Sequence, residues 1–153
     1  SDFLCNSLAL ADGGDSGSSS TKVSMYDEAV KIIKRAGKLE KKDNTDKAIK
    51  LYKEAFNKLE KADKKDKNNP DILNYMGFTS RKSGNFDEAE KFYLKGLSLN
   101  PNHNGINEYL GELYVQTNRI DKAQERLEVL KNCNCEEYQE LKSIIDGTKK
   151  SKY

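Results

Sequence analysis

The sequence predicts an all-α protein made of stacked helical hairpins, closed at its C-terminal end by one further helix. Three observations carry this. In residues 69–101 the apolar positions Ile72, Tyr75, Met76 and Thr79, then Phe86, Ala89, Tyr93 and Leu97, fall at helical spacing on either side of Ser83-Gly84-Asn85. A small residue, Gly77 or Ala89, stands in the middle of each run, where it lets two antiparallel helices approach closely. The same pattern then returns after a fixed interval: Leu110-Gly111 repeats Met76-Gly77, with Tyr114 as its aromatic, and Ala123 and Leu127 repeat Ala89 and Tyr93.

Residues 1–22 stand apart from the fold. Phe3, Leu4, Cys5, Leu8, Ala9 and Leu10 form an apolar run that ends in Ala9-Leu10-Ala11, with Asp12 behind it. This reads as the remnant of a secretory signal peptide cleaved after Ala11, and a periplasmic or secreted protein is expected. The alternative is a tail of a cytoplasmic protein. The run is too short to span a bilayer. Residues 12–21 form a polar linker with no core-forming side chain.

The helical domain is expected over residues 23–148. Its first hairpin spans about 24–67. Ser24 suits an N-cap, Asp27 and Glu28 suit a first turn, and Tyr26, Ala29, Ile32, Ile33, Ala36 and Leu39 form the apolar stripe. Ala36-Gly37 is the expected small contact, and Asn44-Thr45 turns the chain into a second helix over 46–65. The spacing from Ala48 to Ala89 exceeds that from Ala89 to Ala123, so this second helix should run on by about two turns. The second hairpin covers 70–101, with Pro70 in a first turn and Gly84 as a left-handed cap. The third covers 104–135, with helices over 104–117 and 121–132. Tyr138, Leu141, Ile144 and Ile145 then space a capping helix over 136–147, and a basic tail follows at 149–153.

Gly77, Ala89, Tyr93 and Pro101 stand at the spacing of the tetratricopeptide (TPR) repeat, and the chain resembles that family over its three hairpins. Ser80 replaces a usual aromatic, Gly96 a usual alanine, and the third repeat lacks the terminal proline. The resemblance implies a right-handed superhelix that holds a peptide or protein partner in a concave groove lined by the first helix of each repeat. Carried onto this chain, the groove presents Ile33, Gly37, Glu40, Asn74, Phe78, Arg81, Glu108, Glu112 and Val115. Phe78 is the expected anchor, with Arg81 beside it to fork a carboxylate. The Lys/Asn/Arg clamp of chaperone-tail-binding TPR proteins has no counterpart, because Ile33, Gly37, Tyr75, Gly105 and Tyr109 occupy its places. The resemblance also implies that edge-to-edge self-association is open to such an array.

The chain has 153 residues, of which 34% are charged, and a net charge of +2, so no global charge demands a nucleic acid or a membrane. The charge is uneven: residues 31–67 hold 14 Lys/Arg against 7 Asp/Glu, and residues 104–148 hold 5 against 9. Aromatics do not interleave with the lysines, so no nucleic-acid partner is expected. Little looks catalytic. His103, the only histidine, is expected as a solvated turn residue, and no nucleophile triad, phosphate loop or calcium loop is present. No enzyme activity, cofactor or metal is expected. Cys133 and Cys135 leave three readings open: a structural bridge, free thiols, or a redox or metal-handling pair. An oxidising compartment favours the bridge. The segment around them is similar to the ends of small exported alphaproteobacterial TPR proteins, which implies an envelope location and no defined activity.

Overall fold

The computed structural model describes residues 23–147, and they fold into seven α-helices: α1 (Met25–Lys41), α2 (Thr45–Lys65), α3 (Pro70–Lys82), α4 (Phe86–Leu99), α5 (Asn104–Gln116), α6 (Ile120–Leu130) and α7 (Glu136–Ile145). The expected signal-peptide remnant and linker, and the basic tail, lie outside the described residues. Among the described residues no helix is long and apolar enough to cross a membrane.

Helices pair in chain order, α1 with α2, α3 with α4 and α5 with α6, and each pair packs on the next. The starts are set by local chemistry. The Ser24 side chain accepts from the Asp27 amide at 3.0 Å, and the Asn69 side chain accepts from the Asp71 amide at 2.9 Å, with Pro70 inside the first turn of α3. α2 has 21 residues against 14 for α4, the two extra turns that the longer repeat spacing requires. α6 is shorter than expected and ends at Leu130, and α7 ends at Ile145.

The three hairpin turns are copies of one another. Asp43, Gly84 and Asn118 occupy the same position and all adopt positive φ, at 60°, 87° and 60°. In each turn the following amide reaches back over five residues: Asn44 to the Leu39 carbonyl, Asn85 to Ser80 and Arg119 to Tyr114, at 2.9, 2.8 and 2.7 Å. This left-handed closure satisfies helix-end carbonyls that would otherwise lack donors.

The core runs along the seam between paired helices. Ala48, Ala89 and Ala123 are fully buried, as are Ala36 and Ala55. A Cβ added at Gly77 would stand 2.6 Å from Cδ1 of Tyr93, so the ring of Tyr93 needs that glycine. Gly96 stands where alanine is usual because Cδ1 of Ile106 already fills the place of its Cβ. Two expectations are corrected. Gly37 meets nothing within 4 Å, so Ala36 alone makes the small contact of the first hairpin. In the third hairpin Leu127 is only half-buried. The seat over Gly111 is taken instead by Leu141 of α7, whose Cδ2 would stand 2.6 Å from an added Cβ. The capping helix therefore supplies what Tyr93 supplies one repeat earlier.

Candidate functional site

The candidate face is built by the first helix of each hairpin. On α3, Asn74, Phe78 and Arg81 step by four and three residues, so they share one side, about 100° round the helix from Gly77. On α5, Glu108, Glu112 and Val115 stand in the same register, and on α1 Ile33, Gly37 and Glu40 do so. One stripe per repeat thus turns away from the paired helix.

The stripes are not open, contrary to the sequence expectation. Ile33, Asn74, Phe78, Arg81, Glu108 and Glu112 are exposed by 1, 6, 3, 2, 1 and 0%, and only Val115 of the expected residues on α3 and α5 is half-buried. Phe78 is wedged between repeats, its ring centroid 5.9 Å from that of Tyr52 on α2 and 5.2 Å from that of Tyr109 on α5. Arg81, expected to fork a partner's carboxylate, donates from Nε to Oε1 of Gln116 at 2.7 Å and so ties α3 to α5.

Charges on this side are organised across repeats. Lys82 meets the Glu40 carboxylate at 2.9 Å, and the Tyr52 hydroxyl donates to the same carboxylate. The Lys82 ammonium also stands 5.6 Å and 5.9 Å from the ring centroids of Tyr52 and Phe78. Burial lowers the Lys82 pKa, and the hydrogen bond it donates to Glu40 opposes that shift. Glu108 is held well above the usual carboxylate range, first by burial and then by its hydrogen bond with Glu112 and that residue's charge; Glu137 and Glu140 on α7 add to it. The Tyr93 hydroxyl is pushed up by burial, with Arg81 pulling the other way. Beneath this side the structure thus buries aromatic rings beside cations toward α1 and a carboxyl pair toward α7.

His103 is not a free turn residue. Its Nδ1 accepts from the Ile106 amide at 3.0 Å, capping α5, and Nε2 stands 2.6 Å from Oδ1 of Asp71 in the preceding repeat. That contact fixes Nε2–H as the donor and lowers the Asp71 pKa, with burial opposing. Cys133 and Cys135 are joined in a disulfide, and Cys135 is the residue from which α7 starts. Among the described residues no group of three His, Cys, Asp or Glu is placed to hold a metal ion.

Sequence reasoning missed Lys82 and Tyr52 as members of this face, whereas Tyr109 was already placed on it. Lys82 was legible only as a basic residue in a last turn, because its partner Glu40 lies one repeat away.

The tetratricopeptide repeat family model matches residues 80–145, from the end of α3 to the end of α7. The buried small residues and the thrice-copied turn extend the same unit back to α1. Over residues 80–145 the chain is built of TPR repeats. No curated protein matches it. Among solved structures, the type III secretion translocator chaperone SycD of Yersinia enterocolitica, as an alternative dimer, superposes with a TM-score of 0.50 at 16% identity, over 79% of this chain and 88% of that chain. SycD solved with a peptide of the translocator YopD gives 0.50 at 15%, with the same coverage. Another SycD structure gives 0.50 at 14%, over 84% of this chain and 99% of that chain. At these identities the likeness is one of fold.

Proposed function

We propose that this protein is a non-catalytic interaction module that holds an extended segment of a partner polypeptide along the face of α1, α3 and α5. The observation that carries the reading is the chemistry of that face: the ring of Phe78 meets that of Tyr109 at 5.2 Å, and the Lys82 ammonium stands 5.9 Å from the Phe78 ring centroid, with Arg81 next to it in the chain. Rigid aromatic edges beside desolvated cations are the side chains that dominate peptide recognition. That a chaperone of the same fold has been solved with a translocator peptide supports the reading. Phe78 is part of the core, so Phe78→Ala costs stability as well as capture, about 3–5 kcal/mol for a buried Phe, and is a poor probe.

The test is photocrosslinking in the native cell. A benzophenone amino acid at half-buried Val115 should crosslink a defined partner, and the same group at exposed Leu94 on α4 should not. Crosslinks from Leu94 alone would place the partner on the other face. We further infer an exported protein in an oxidising compartment. The support is the apolar run ending in Ala9-Leu10-Ala11 and the Cys133–Cys135 bridge. Thiol titration of protein taken directly from the cell tests it, with two reactive thiols at those positions counting against export.

A further inference from the structure

Six cations follow one another along α1 and its C-cap: Lys31, Lys34, Arg35, Lys38, Lys41 and Lys42. At about 100° per residue they share a sector of about 120° and a length of about 17 Å. The buried residues Ala29, Ile32, Ile33 and Ala36 centre on the opposite side, where α2 packs. Lys34 is half-exposed and the other five are exposed. Asp27, in the first turn, is the one acid of α1 in that sector.

None of these six side chains pairs with a described residue. Other cations are paired between helices: Lys58 meets Glu28, Lys82 meets Glu40, Arg119 meets Glu90, and Arg126 donates to Asn107. Like charges three and four residues apart destabilise a helix. The stripe is therefore costly to α1 on its own, and an anionic surface removes that cost. The surface that fits is a sheet of charge rather than a shaped partner. The stripe holds five lysines, one arginine and no aromatic residue. Lysine is depleted from protein interfaces, and base stacking needs aromatic faces. A layer of lipid headgroups needs no pocket, and cations along one straight side meet it together. Residues 104–148, with nine Asp/Glu against five Lys/Arg, lie toward the other end of the array, and their charge holds that end off.

We propose that this side of α1 docks the protein on an anionic lipid bilayer, with α1 lying flat on the headgroups and α7 held away from them. Ile33 and Glu40 stand on the opposite side of α1, so docking leaves the proposed partner face clear.

The test is co-sedimentation of the full chain, disulfide intact, with vesicles of phosphatidylcholine alone or mixed with phosphatidylglycerol, at about 0.1 M salt. The mixed vesicles should bind it more tightly by about tenfold or more. Equal binding to both overturns the proposal. Lys31→Gln with Lys38→Gln should weaken binding to the mixed vesicles about 25-fold, at about fivefold per cation. Lys91→Gln with Lys95→Gln, exposed on α4, changes the net charge by the same amount and should cost less than about threefold. If both pairs lose equally, attraction follows net charge and α1 is no site; if neither loses, docking is not electrostatic. Either result overturns the proposal. The same comparison on polyglutamate and on duplex RNA separates the kinds of anion. A larger loss for the α1 pair on either polymer than on vesicles assigns the stripe to a protein or a nucleic acid and overturns the proposal equally.

Discussion

Gly77 and Tyr93 show how one missing methyl sets the distance between two helices. The Tyr93 ring is fully buried and fills the space that a side chain at residue 77 would need. Gly77→Ala should therefore destabilise the protein by about 1–3 kcal/mol despite the better helix propensity of alanine. A thermal midpoint at or above that of the parent would show that the ring yields. Glu108 makes the opposite kind of prediction. Its raised pKa means that the folded state holds a proton that the unfolded chain gives up near pH 4, the ordinary Glu range. Stability from this group is thus complete at low pH and is lost as pH rises through the folded pKa. Glu108→Gln, which does not titrate, should gain thermal stability over the parent as pH rises from 4 to 9, and a constant difference would contradict the assignment. The packing glycine was legible in the sequence because a small residue in a helical stripe admits few explanations. The cap made by His103, and its contact with Asp71 32 residues away, was not, because local spacing carries no information about a neighbour in another repeat.

At the scale of elements, the hairpin turn is the repeated unit. The sequence betrays it openly only at Gly84. Asp43 and Asn118 reach the same left-handed conformation with a side chain attached, which Asp and Asn tolerate better than other residues but not without strain. Asp43→Gly should raise stability by up to about 1 kcal/mol, read as an increased urea midpoint at unchanged slope. A fall would mean that the Asp43 side chain contributes more than its backbone costs. Helix order and pairing followed from period and small residues, whereas helix ends did not. α6 stops at Leu130 because the chain must turn there, through Asn134 at φ 51°, to place α7 over Gly111. Leu127 looked like the residue to fill that seat because it stands in the register of Tyr93. Which of two leucines wins depends on a helix that lies outside the repeat.

For the whole molecule, exposure was the property least open to the sequence. Periodicity locates a stripe on a helix but does not say whether anything lies over it, and the stripe through Asn74, Phe78 and Arg81 carries the mix of apolar and charged residues that reads as an open groove. The charge gradient, by contrast, was read directly: the lysines of α1 and α2 are mostly exposed, at the end of the array opposite α7. Leu141 in the seat over Gly111 has one more consequence. The last pair cannot receive another unit, because α7 plugs the socket a successor would use. In the interior, by contrast, the turns match and each pair accepts its neighbour. A duplicate of residues 70–103 spliced after His103 should yield a longer, cooperative molecule with undiminished helicity per residue, measured by circular dichroism and calorimetry. The same duplicate appended beyond Gly147 should hang loose and fall first to protease, so α7 acts as a stopper at its end of the array.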